Sequence, residues 1–75
     1  MNPPRFSILL VPSTHHAVRA EKLLLQAGVT CKLIPVPRTI ASDCGVCVRI
    51  PTTAAEAARR ILENAGLKME GFHDL

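Results

Sequence analysis

An Ala-Gly pair closes a helical pattern twice in this 75-residue chain, at Ala27-Gly28 and again at Ala65-Gly66. Glycine takes up the left-handed backbone that ends a helix without the steric penalty other residues meet there. Each pair follows a helical stretch with an N-terminal capping signal and precedes an extended stretch. The chain therefore reads as one unit written twice: strand, capped helix, Ala-Gly, strand. Few folds accommodate that pattern in so short a length.

Residue spacing fills in the units. Phe6–Val11 is apolar at every position but Ser7, as a strand covered on both faces would be, and Pro12 ends it. Ser13 is a candidate N-cap for a helix from Thr14 to Ala27. At about 100° per residue, Ala17, Ala20, Leu23, Leu24 and Ala27 share one side. His16 falls at its edge, and His15 turns toward Arg19 and Lys22 and into water. Val29–Ile34 alternates as a second strand, Val29, Cys31 and Leu33 against Thr30 and Lys32. Val46–Ile50 alternates as a third, Val46, Val48 and Ile50 against Cys47 and Arg49, and Pro51 stops it. Thr53-Ala54-Ala55-Glu56 has the form of a capping box. It opens a helix running to Ala65 with Ala54, Ala58, Ile61, Leu62 and Ala65 as its apolar stripe. Glu56/Arg60 and Arg59/Glu63 are i,i+4 pairs on its wet side. Leu67–Phe72 is the fourth strand, Leu67 and Met69 inward, Lys68 and Glu70 outward.

The order β-α-β-β-α-β predicts an α+β, ferredoxin-like domain over residues 1–75. Its four-stranded antiparallel sheet has spatial order 4-1-3-2, with both helices on one face. Strand direction then brings the exit of the first strand, the start of the first helix, the loop between the second and third strands and the end of the second helix to one edge. Ser13, Thr14, His16, the Pro35–Gly45 loop and Gly66 are expected there.

Composition narrows the function classes. The net charge of +3 is spread among interleaved acids, and the only aromatics are two phenylalanines near the termini. A basic stripe with aromatics for stacking, the mark of a nucleic-acid binder, is missing. Phe6–Val11 is too short to cross a membrane, and no cleavage site follows it. Three cysteines without a secretory context point to reduced thiols and a cytoplasmic setting. A monomer or weak dimer is expected. No cofactor motif, Gly-rich phosphate loop, carboxylate pair or Ser/His/Asp arrangement is present. No metal site is expected, because adjacent His15 and His16 diverge on a helix. His73 belongs to the opposite edge.

Candidate chemistry gathers in Pro35-Val36-Pro37-Arg38-Thr39-Ile40-Ala41-Ser42-Asp43-Cys44-Gly45. The alternate prolines hold its first part extended and stiff. A long loop in so small a domain is commonly functional. Cys44 would sit at the mouth near the start of the first helix, with Arg38 and His16 in reach. A thiol of ordinary pKa, about 8.5, is only about 3% thiolate at pH 7. Half ionisation needs roughly 2 kcal/mol, more than the ~0.3–1 kcal/mol of a helix terminus, so a second cation such as Arg38 is required. The residues leave two readings open: a nucleophilic or sulfur-carrying thiol, and an idle one in a turn. Cys44-Gly45-Val46-Cys47 is formally C-x-x-C, but it enters a strand, where i and i+3 point to opposite faces. Cys31 reads as core filler. Ser13, Thr14 and the first helical amides could also hold an anion.

Ser13-Thr14-His15-His16-Ala17, Ala20-Glu21-Lys22-Leu23-Leu24 with Ala27-Gly28, Ile34-Pro35-Val36-Pro37-Arg38 and Ser42-Asp43-Cys44-Gly45 together resemble the Se/S carrier-like family of small bacterial and archaeal domains. In some proteins this domain is joined to a TusA-like domain. The likeness spans nearly the whole chain. It implies that Cys44 carries sulfane sulfur or selenium, flanked by Arg38 and His16. It implies a desulfurase-like donor protein and an acceptor, TusA-like among the possibilities, and carriage rather than turnover catalysis. Cys47 departs from the small or apolar residue usual in the family and is left outside the site. Two rival classes stand beside this one. The first is a small-ligand or anion-binding regulatory module built on Arg38 and the amino end of the first helix, without thiol chemistry. The second is a docking domain using an apolar strip of Leu9, Val11 and Cys47 on the open sheet face.

Overall fold

The computed structural model describes residues 5–38, 40 and 45–74. In chain order it contains β1 (Phe6–Leu10), α1 (Thr14–Gln26), β2 (Lys32–Pro35), β3 (Val46–Pro51), a 3-10 turn (Thr52–Ala54), α2 (Ala55–Asn64) and β4 (Gly71–Asp74). The strands form one antiparallel sheet in the order β2-β3-β1-β4, which is 4-1-3-2. Ala17, Ala20 and Leu24 of α1 and Ala58 and Leu62 of α2 pack with Leu9, Val11, Val48 and Ile50 in one core. Both helices thus cover one face, and the chain adopts the ferredoxin-like α+β fold.

The doubled Ala-Gly signal has a common structural cause. Gly28 (φ 83°) and Gly66 (φ 74°) are the positive-φ residues among those described. The Gly28 amide bonds to the Leu25 carbonyl and the Val29 amide to that of Leu24; Gly66 bonds to Glu63 and Leu67 to Leu62 in the same way. Each helix therefore ends in a Schellman motif, and the residue after each glycine joins the helical core. That motif also displaces two predicted strands. Val29 is bound into the end of α1, so β2 begins only at Lys32 rather than Val29. Leu67 is bound into the end of α2, and β4 begins at Gly71 rather than Leu67. Leu67 and Met69 still face the core, as expected, from an extended connection. Ala27 and Ala65, assigned to the apolar stripes, occupy the cap positions beyond the last helical turn and are exposed.

The predicted capping box does not form. α2 starts at Ala55 after the 3-10 turn, its N-cap is Ala54, and no side chain caps it. The Ala55 amide bonds instead to the Thr52 carbonyl, as a 3-10 turn allows. Glu56 is engaged elsewhere, with Arg59 at 3.1 Å and Arg60 at 4.0 Å. The predicted Arg59–Glu63 pair is present at 3.9 Å.

β1 corrects the reading of the sheet faces. Leu9 and Val11 belong to the helical core, and it is Ile8, Leu10 and Cys47 that face away from the helices. Polarity misleads here because Ser7, which shares the parity of Leu9, is only 2% exposed. Its hydroxyl lies 3.0 Å from Thr52 Oγ1 and donates to Asp74 Oδ1 at 2.8 Å. A hydroxyl so satisfied can sit on the buried side. Nor is the other face an open apolar strip. Val36 and Ile40 fold back over it, leaving Ile8 and Cys47 at 0% and Leu10 at 5% exposure. The apolar docking surface expected from Leu9, Val11 and Cys47 is therefore not there. The peptide bonds before Pro35 and Pro37 are trans.

Candidate functional site

Ser13 has extended backbone (φ −154°, ψ 165°), and its Oγ accepts the His16 amide at 3.4 Å, the N-cap role predicted for it. The same oxygen stands 2.6 Å from His16 Nδ1, with donor and acceptor set by the ring tautomer. The short cap thus fixes the half-buried His16 ring and leaves Nε2 as its remaining polar atom. Thr14 follows as the exposed first residue of α1.

The start of α1 meets the turn between α2 and β4, as strand direction requires. A hollow of about 380 Å³ lies there, lined by His15, His16, Arg19, Gly66, Leu67 and Lys68. Gly66 was expected at this edge. Arg19 and Lys68 were assigned only to wet faces and had no place in the predicted site. Lys68 comes to the hollow because the Schellman turn at Gly66 redirects the chain across the α1 terminus, which the i,i+2 pattern of Leu67–Glu70 does not convey.

The ladders bring the end of β2 and the start of β3 to the same sheet edge as the end of β1, but none of the described residues between Pro35 and Gly45 lines the hollow. The Val36 amide bonds to the Gly45 carbonyl at 3.1 Å, prolonging the β2–β3 ladder, and the Ile40 amide bonds to the Pro37 carbonyl at 3.0 Å. Arg38 is exposed on that turn and does not line the α1 hollow. Val36 and Ile40, on either side of it, pack on the sheet face opposite α1. Gly45 is exposed. Cys44, the predicted carrier thiol, lies outside the described residues, as do Ser42 and Asp43.

The other two thiols are placed as the alternation of the strands foretold. Cys47 is buried on the non-helical face, its Sγ 4.0 Å from the Pro35 carbonyl. Cys31 packs against the helical core, its thiol donating to the Glu21 carbonyl at 3.6 Å. Burial, and secondarily the nearby Glu21 carboxylate, pushes the Cys31 thiol above its ordinary value. A thiol so held is a poor nucleophile at neutral pH. Among the described residues, no group of three or more His, Cys, Asp or Glu could hold a metal ion, and no helix is long and apolar enough to cross a membrane.

A small ferredoxin-like domain with a proline-stiffened β2–β3 loop is the class of protein these features define. Residues 6–74 match the family described as Putative Se/S carrier protein-like, and the chain belongs to that family. Membership supports, in general terms, a role in carrying sulfur or selenium. No curated protein and no solved structure matches the chain.

Proposed function

We propose that the chain carries sulfur or selenium on Cys44 and hands it to a partner protein. Family membership over residues 6–74 is the observation that carries this reading. The Cys44 thiolate attacks the outer sulfur of a donor persulfide, of the kind a cysteine desulfurase holds. A new S–S bond forms, the donor's S–S bond breaks, and the donor cysteine leaves as a thiolate. Delivery repeats the exchange, with an acceptor nucleophile, such as a TusA-like thiol, attacking the outer sulfur while Cys44 leaves. Selenium replaces the transferred atom without altering that balance. Arg38, the amino end of α1 and His16 are assigned to stabilising the thiolate and its adduct. Buried Cys47 and proton-retaining Cys31 are poorly suited to the role. Such exchange belongs to the reducing cytoplasm and makes the protein a stoichiometric carrier.

Incubation with a cysteine desulfurase and cysteine, followed by intact-mass measurement, tests the proposal. Wild type, Cys31→Ser and Cys47→Ser should each gain one sulfur atom, and Cys44→Ser none. Loading that persists without Cys44 refutes the assignment. The basic hollow at the α1 start favours a second reading, an anion-binding module. Under it, phosphate should shift the amides of His15, Arg19 and Lys68 equally in wild type and Cys44→Ser.

A further inference from the structure

On the sheet face away from the helices, the ladders set Lys32 opposite Arg49, Arg49 opposite Ile8, and Ile8 opposite His73. These residues form one row across all four strands, about 14 Å long at ordinary strand spacing. The row holds two cations and an imidazole around a single buried aliphatic side chain, Ile8. Like charges directly opposite each other weaken an antiparallel pair, so sheet stability does not account for Lys32 facing Arg49. Among the described residues, ion pairs join Arg59 and Arg60 to Glu56 and Glu63 on α2, and none reaches this row. The Arg49 guanidinium is instead held over the Phe6 ring, 4.4 Å from its centroid. That contact orients the charge without neutralising it.

We infer that this row docks an acidic segment of a protein partner, with carboxylates meeting Lys32 and Arg49. Charge complementarity selects the occupant. A second copy of this chain brings the same net charge of +3 and is repelled. A nucleic-acid strand finds no stacking platform: Phe6 lies under Arg49, and Phe72, the other aromatic, packs with the helical core. A planar guanidinium already fixed by stacking suits two-point recognition of a carboxylate. The inference stands apart from any chemistry at Cys44.

The test uses fluorescein-labelled hexaglutamate, with binding read by anisotropy and mapped by backbone amide shifts. Shifts should centre on Lys32, Arg49 and His73, and the K32Q/R49Q variant should bind about tenfold more weakly. The charge-matched control K22Q/R60Q, altered on exposed positions of the helices, should keep wild-type affinity. K32Q alone should unfold at no lower urea concentration than wild type, because it relieves the like-charge pair while leaving Arg49 on the Phe6 ring. Equal losses in both double variants, shifts confined to the helices, or no binding at all would overturn the inference. So would tighter binding of an oligothymidylate of matched charge, which would make the row a nucleic-acid surface.

Discussion

Cys31 shows how one side chain couples this fold to pH. The folded chain holds its thiol proton more tightly than the unfolded chain does, because burial and Glu21 both disfavour the thiolate. Below the ordinary thiol value of about 8.5 both states keep the proton and the difference has no effect. As pH rises past that value the unfolded chain ionises first, so stability falls with pH. Urea midpoints for wild type and Cys31→Ala, taken from about pH 8 to about pH 10, should converge at the alkaline end. Parallel curves would show that Cys31 is not held in its neutral form. The thiol's role as filler was readable from its parity with Val29 and Leu33. The Glu21 carbonyl and carboxylate beside it were not, since they come from a helix ten residues away in sequence.

The helix stops carry more of the architecture than the helix starts. At Gly28 and Gly66 a side chain would meet no atom within 4 Å, and the penalty for adding one comes from the positive φ alone. Gly28→Ala and Gly66→Ala should therefore each cost about 1–2 kcal/mol in urea unfolding. Gly45→Ala, also in open space and without positive φ, should stay within about 0.5 kcal/mol. Equal effects at all three positions would contradict the Schellman assignment. These stops were legible because glycine after an apolar-periodic run has one strong physical reading. The start of α2 was not: Thr53 and Glu56 have the spacing of a capping box, but the 3-10 turn at Thr52 satisfies the Ala55 amide by backbone alone. Strand limits slipped for the same reason. Pattern shows which residues face the core, while hydrogen bonding decides where a ladder begins.

Strand order and the single helical layer followed from the order of elements, yet the sheet has a second apolar layer that periodicity in β1 could not assign. Val36 and Ile40 come from the loop, where no repeat marks a buried position, and they seal Ile8, Leu10 and Cys47. The proline-stiffened segment is thus a structural cover as well as the approach to Cys44. Its removal should be felt at a distance. Ile40 is half-buried, so Ile40→Ala should cost about 1–2 kcal/mol, below the range for a fully buried isoleucine. The clearer signal is chemical. Cys47 is inaccessible in the native chain, so its alkylation requires the cover to lift, and its labelling rate reports that opening. In Ile40→Ala that rate should rise severalfold while Cys31, packed against the other face, labels as before. A matched rise at both cysteines would mean global unfolding, and no rise at Cys47 would mean that Val36 alone keeps the layer closed. Loss of the cover without loss of the helical core would establish that the two faces of this sheet open independently.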